Sequence, residues 1–77
     1  MAEAVIMPRQ GQSVESCIIT AWHKQEGDRV KKGELLFSYE TDKAAFDEEA
    51  KTDGVLLKIF AAADDDVPVL TNVAVIG

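Results

Sequence analysis

The apolar residues of this chain repeat at an offset of 37 positions, so Cys17–Glu40 matches Gly54–Gly77 in pattern. The coinciding apolar pairs are Ile19 with Leu56, Trp22 with Ile59, Val30 with Val67, and Leu36 with Val73. An acidic turn repeats with them, because Gly27-Asp28 falls on Asp64-Asp65. Two similar halves predict a sandwich with approximate twofold symmetry.

Short apolar and β-branched runs alternate with breaks at Gly, Pro and Asp, and no stretch carries apolar residues at helical spacing over three turns. The predicted strands are Ala4–Met7, Cys17–Lys24, Leu35–Glu40, Ala44–Glu48, Gly54–Ala61 and Val73–Ile76, with short pieces near Val30 and Val67. The chain is therefore predicted to be an all-β sandwich or barrel. The candidates for its modest core are Ile19, Trp22, Leu36, Leu56, Ile59, Val73 and Val75.

The charge of the chain restricts its partners. Its 77 residues carry a formal net charge of −6, and the isoelectric point is about 4.5. Nucleic acids and anionic membranes attract clustered Lys and Arg, so neither is expected as a partner. A basic protein would be steered towards this surface, although the acidity also serves solubility alone. The single cysteine excludes an internal disulfide, and no apolar run is long enough to span a bilayer.

One lysine lies at a predicted hairpin tip, in the run Glu40-Thr41-Asp42-Lys43-Ala44 between two predicted strands. Asp42 suits such a turn because its side chain can hydrogen-bond nearby backbone, and Ala44 keeps the turn uncrowded. A modifying enzyme could reach Lys43 there. The competing lysines are expected on strand faces or ordinary loops: Lys24, Lys31, Lys32, Lys51 and Lys58. Gly27, Gly33 and Gly54 are expected where a Cβ would obstruct the backbone.

The run Glu40–Ala44, preceded by Glu26–Gly33 and followed by Asp53–Leu56, resembles the lipoyl domain of 2-oxo acid dehydrogenase acyltransferase (E2) components. The resemblance covers essentially the whole chain. It implies a flattened, eight-stranded barrel-sandwich hybrid of two quasi-symmetric four-stranded sheets with the lysine on a hairpin tip. It also implies that residues 1–77 are one carrier domain, the N-terminal domain of a longer dihydrolipoamide acyltransferase.

The same resemblance implies that Lys43 carries lipoic acid in amide linkage and acts as a swinging arm. The arm would accept an acyl group by reductive acylation from a thiamine diphosphate-dependent 2-oxo acid decarboxylase. The sequence does not identify the 2-oxo acid, and pyruvate is favoured only because complexes that use it are widespread. It would deliver that group to coenzyme A at the acyltransferase catalytic domain, and an FAD-dependent dihydrolipoamide dehydrogenase would reoxidise it. A lipoate-protein ligase, or an octanoyltransferase with lipoyl synthase, would attach the group. The compartment would be the cytoplasm in a bacterium or the mitochondrial matrix in a eukaryote.

Partner recognition is expected in the loop Pro8–Ser16, which by resemblance packs near the lysine hairpin. The residues assigned to it are Gly11, Gln12, Ser13 and Glu15, together with Glu40 and Thr41. Many family members carry Glu and Gly where this chain has Gln12 and Ser16. No residue of the domain is expected to be catalytic or to bind a metal.

The second half departs from the family pattern. Asp64-Asp65-Asp66 and Leu70 replace a Gly-Asp turn and a later Gly, which predicts a preserved but strained or looser turn. The spacing of the three Asp residues does not match a calcium loop. Cys17 is expected to be a structural strand residue, and His23, adjacent to Trp22, is expected to face solvent.

Three alternative readings share parts of this pattern. Biotin carrier domains have the same architecture, but methionines typically flank their lysine, whereas Asp42 and Ala44 flank it here. The glycine-cleavage carrier is lipoylated but longer, with extra helices. Unmodified barrel-sandwich hairpins used only for assembly tend to lack the Asp-Lys turn.

Overall fold

The computed structural model describes residues 2–9, 11 and 14–77, which form eight strands and no helix that could cross a membrane. The strands are β1 Glu3–Ile6, β2 Ser16–Trp22, β3 Arg29–Val30, β4 Leu35–Glu40, β5 Ala45–Glu49, β6 Gly54–Ile59, β7 Asp66–Pro68 and β8 Asn72–Ile76. Every predicted strand is present, and the bounds differ from the prediction by at most two residues. The all-β prediction is therefore confirmed.

The strands form two four-stranded antiparallel sheets, in the orders β1-β8-β6-β3 and β5-β4-β2-β7. Moving 37 residues along the chain takes β2 to β6, β3 to β7 and β4 to β8, and the remaining strands β5 and β1 correspond to each other. Under this correspondence one sheet order becomes the other. Single hydrogen bonds repeat as well, since His23 N donates to Leu36 O and Phe60 N donates to Val73 O, both at 2.8 Å. The predicted twofold symmetry is confirmed.

A β-bulge in each sheet decides which side chains enter the core. Leu36 is the extra residue of β4, since its neighbours Leu35 and Phe37 pair with the consecutive residues Glu49 and Glu48. An extra residue breaks the in-out alternation, so Leu36 and Phe37 are both buried.

The symmetry-related bulge lies in β8. Val73 is its extra residue, and Val73 and Ala74 are both buried. The alternation therefore resumes with Ile76 buried and Val75 half-buried. The prediction of Val75 as a core residue was wrong, because it assumed an unbroken strand.

The core lies between the two sheets and contains most of the predicted residues. Ile19, Leu36, Leu56 and Val73 are fully buried, and Trp22 and Ile59 pack against them half-buried. The indole N–H of the half-buried Trp22 is hydrogen-bonded, because Nε1 donates to the carbonyl of Ala61 at 2.7 Å.

The acidic turn of the second half keeps the backbone shape of the glycine turn in the first half. Asp64 adopts φ +73° where Gly27 has φ +92°. The side-chain cap repeats too, because Asp28 Oδ2 accepts Gln25 N–H and its counterpart Asp65 Oδ2 accepts Ala62 N–H, both at 2.8 Å. The turn is thus preserved as predicted, with a left-handed backbone that Asp tolerates better than most residues.

A second pair of related turns differs in the same way. Leu70 adopts φ +66° at the position related to Gly33, which has φ +94°. A left-handed conformation costs a residue with a Cβ about 1–2 kcal/mol, and leucine has no polar side chain to offset it. Leu70 is therefore the more strained of the two replacements.

Candidate functional site

The turn Thr41–Ala44 lies at the tip of the hairpin formed by β4 and β5. These strands pair as far as Glu40 and Ala45. They are also the only consecutive strands in the described part of the chain that pair with each other directly. The other described connections link strands that are not neighbours, so Lys43 lies on the one tight hairpin of this part of the chain.

Thr41 orders the turn through its backbone and its hydroxyl. Its N–H donates to Ala44 O at 2.8 Å, and its Oγ1 accepts the N–H groups of Lys43 and Ala44, each at 3.2 Å. Asp42 was expected to make the side-chain bonds of this turn, but the structure gives them to Thr41. The hydroxyl is at the first position of the turn, from which it reaches the amides two and three residues ahead.

The side chain of Lys43 projects into solvent, and no described residue forms a hydrogen bond or ion pair with it. Two competing lysines differ from Lys43 because each has an ion-pair partner. Lys24 Nζ lies 3.4 Å from Glu34, and Lys51 Nζ lies 4.0 Å from Glu48. Lys58 lies on strand β6, and the other competitors lie outside the strands, as expected: Lys24, Lys31, Lys32 and Lys51. Lys43 thus combines an exposed amine with an ordered backbone.

A row of aromatic rings supports the hairpin from inside the fold. Tyr39 and Phe46 pair directly across β4 and β5, with ring centroids 5.5 Å apart. Phe37 continues the row at 5.7 Å from Tyr39, and Trp22 follows at 4.8 Å from Phe37. Phe37 and Tyr39 are fully buried and were not among the predicted core residues. The signal was their period-two spacing within a predicted strand.

A shallow depression beside the lysine turn brings together three predicted recognition residues: Glu15, Glu40 and Thr41. Its other lining residues are Val14, Ser16, Ile18, Asp42 and Asp66. The lining thus includes four carboxylates and no basic side chain. The expected packing of the loop Pro8–Ser16 near the hairpin is present at Val14–Ser16.

Of the remaining loop residues assigned to recognition, only Gly11 is among the described residues. Gly11 is exposed, and its carbonyl accepts the N–H of Val14 and Nε of Arg9, both at 3.3 Å. Gln12 and Ser13 lie outside the described residues.

The three glycines predicted at structural positions lie away from the lysine turn. Gly27 and Gly33 have the left-handed angles given above. Gly54 allows a close approach, because a Cβ there would lie 2.8 Å from Gly77 O and 2.9 Å from Ile76 Cγ2. They shape turns and the contact between β6 and β8.

Two other groups with reactive atoms do not form a second site. Burial raises the pKa of the Cys17 thiol, and the nearby Asp66 carboxylate raises it further, so the unreactive thiol form is favoured. His23 is exposed as expected, and its Nε2 lies 2.8 Å from Ser38 Oγ, which donates to Asp47 at 2.6 Å. This serine lies between the imidazole and the carboxylate, and it donates its proton to the carboxylate and not to the imidazole. The described residues hold no group of three or more His, Cys, Asp and Glu side chains placed for a metal.

The chain matches the biotin/lipoyl family, described as "Biotin-requiring enzyme", over residues 3–76. One relative is the dihydrolipoyllysine-residue acetyltransferase component of the acetoin cleaving system of Pseudomonas putida, 40% identical over 91% of this chain and 19% of the relative. Another is the pyruvate dehydrogenase E1 component subunit beta of Rhizobium meliloti, 35% identical over 99% of this chain and 17% of the relative. The chain spans less than a fifth of the length of these relatives.

The fold also matches a solved structure. The lipoyl domain of the 2-oxoglutarate dehydrogenase complex from Azotobacter vinelandii superposes with a TM-score of 0.81 and 28% sequence identity. The match covers 96% of this chain and 94% of that domain. It therefore spans nearly the full length of both chains.

Proposed function

Because this chain belongs to the biotin/lipoyl family, as a lipoyl domain of the kind found in 2-oxo acid dehydrogenase E2 components, we propose that Lys43 is the attachment point of lipoic acid. The domain would then act as a swinging-arm carrier of acyl groups. The observation that carries the proposal is the exposed Lys43 side chain on an ordered hairpin turn. An enzyme that forms an amide needs a free amine at a defined position, and this turn offers one.

The residues around Lys43 fit such a group. Thr41 fixes the backbone on both sides of the lysine, so an attached arm moves about the side-chain torsions and not by melting the turn. The aromatic pair Tyr39 and Phe46 holds the strands below it. When bound, lipoic acid supplies a strained cyclic disulfide that takes up an acyl group as a thioester and is restored by thiol–disulfide exchange. Tethering raises the local concentration of that group at each partner.

The proposed partners follow from this chemistry. A thiamine diphosphate-dependent decarboxylase would load the arm, coenzyme A would receive the acyl group at an acyltransferase catalytic domain, and an FAD-dependent dihydrolipoamide dehydrogenase would reoxidise the arm. The chain itself would bind these enzymes and present the lipoyl arm to them. We take a longer acyltransferase as its host, as in the acetoin-system relative, and pyruvate as the favoured 2-oxo acid.

The two residues beside Lys43 argue against biotin as the attached group. Biotin carriers typically have methionines beside their lysine, whereas Asp42 and Ala44 lie there in this chain. Both readings use the same lysine and the same fold, so the chemistry of the adduct separates them.

Intact-mass spectrometry of protein from the native organism tests the proposal. A lipoyl adduct is expected, a biotin adduct would favour the rival reading, and the absence of any adduct would refute both. In vitro, a lipoate-protein ligase should modify the wild type and Lys51→Arg but not Lys43→Arg. Lys51 is the matched control because its side chain is 86% exposed but lies outside the hairpin. Lipoylation or reductive acylation of Lys43→Arg would contradict the assignment, provided that circular dichroism shows this variant to be folded.

A further inference from the structure

Leu70 is the most exposed large apolar residue in the described part of the chain, with 63% of its surface accessible. Single exposed leucines are common and need no explanation by themselves. Leu70 differs from them because it also holds a left-handed backbone, at φ +66°. It therefore exposes apolar surface and strains the backbone at the same position.

The internal symmetry provides a comparison within the same molecule. Gly33 forms the related turn with the same hydrogen bonds. Gly33 N donates to Ala50 O at 2.8 Å, as Leu70 N donates to Met7 O at 2.8 Å. The turn in the first half closes without a side chain, and the space around Gly33 is open. The same turn thus forms in the first half without a side chain, so the leucine is not required for closing it.

The turn that contains Leu70 holds both ends of the loop beside the lysine hairpin. Leu70 N donates to Met7 O, and Val69 N donates to Glu15 O at 2.9 Å. Glu15 in turn lines the acidic depression with Glu40 and Asp42. Leu70 is therefore joined through one residue, Val69, to the surface that faces any enzyme approaching Lys43.

We infer that Leu70 is the apolar anchor of a docking surface formed with Val14–Ser16 and Glu40–Asp42, whose occupant is the decarboxylase that loads the arm. The four carboxylates of the depression match a partner surface that carries arginine or lysine around an apolar pocket. Relatives occur in acetoin and pyruvate systems, where an arm of the same chemistry serves different substrates. Discrimination between loading enzymes must then come from the protein surface. This inference rests on the proposed function.

The test measures reductive acylation of the lipoylated domain by 2-oxo acid decarboxylases of the same organism. Leu70→Asn removes the apolar side chain and keeps a residue that tolerates left-handed angles, so the variant should fold. We expect KM for the domain to rise about fivefold or more, with kcat and the rate of lipoylation unchanged. Leu70→Met should retain most of the wild-type KM.

Leu57→Asn is the matched control, because Leu57 is 51% exposed but lies on β6, outside the proposed surface. Its KM should match the wild type. A wild-type KM in Leu70→Asn would overturn the inference. So would sedimentation data in which Leu70→Asn abolishes self-association without changing KM, because the occupant would then be a second copy of the chain. Failure of the proposed function is a separate result, since the wild-type domain would then not be acylated at all.

Discussion

Replacement of Thr41 by valine tests whether the hydroxyl orders the lysine turn. Valine keeps the shape of threonine but removes the acceptor for the N–H groups of Lys43 and Ala44. Both bonds measure 3.2 Å, at the long end of the usual range, and both are exposed to water. Each is therefore assigned the low end of a typical contribution, about 0.5 kcal/mol, or about 1 kcal/mol together.

A loss of about 1 kcal/mol lowers the Tm of a domain of this size by about 4–8 °C. It also raises the open population of the turn about fivefold. Differential scanning calorimetry measures the first effect, and amide hydrogen exchange at Lys43 and Ala44 measures the second. Thr20→Val is the matched control, because Thr20 is an exposed strand residue with no described side-chain hydrogen bond. Unchanged exchange at both amides in Thr41→Val, or an equal loss of Tm in the control, would refute the role of the hydroxyl.

Two further changes test packing and charge. Burial raises the pKa of Glu48 above its ordinary value of 4.5, the adjacent Glu49 raises it further, and Lys51 opposes the rise. The folded state then binds this proton more tightly than the unfolded state, so its contribution to stability declines as pH rises above the ordinary value. Glu48→Gln should therefore raise the Tm at neutral pH but not below about pH 4, and a pH-independent difference would contradict this reasoning. Trp22→Phe leaves the buried Ala61 carbonyl without its donor and should lower the free energy of unfolding by about 1–3 kcal/mol, measured by urea denaturation; no loss would show that water replaces the bond.

The architecture was predictable because strand patterning and the 37-residue repeat can both be read from the sequence without knowing which strands pair. The repeat related Ile19 to Leu56 and Leu36 to Val73, and all four residues lie in the core. Bulges were not predictable, since an extra residue is defined only when a partner strand is present. For this reason Val75 was assigned to the core in place of Ala74 and Ile76.

The candidate site was also predictable only in part. Lys43 was found because turn residues and two strand patterns bracket it in sequence. The role of Thr41 was not found, because Asp and Thr both favour turns and only the backbone geometry decides which oxygen reaches the amides. Likewise, no sequence pattern brings Asp66 beside Glu15 and Glu40, which lie far from it along the chain.

The pairing of β1 with β8 determines the order in which the fold can assemble. Glu3 lies opposite Ile76, so this pair forms only after almost the whole chain has closed on itself, whereas β4 and β5 meet across the turn Thr41–Ala44. Closing the longer loop costs more chain entropy, so the hairpin can form early and β1 docks late. Both β1 and β5 are edge strands with a single partner, but only the partner of β1 lies at the far end of the sequence. The lysine turn thus belongs to the most local strand pairing of the described residues, and its closure does not depend on the late pairing of β1.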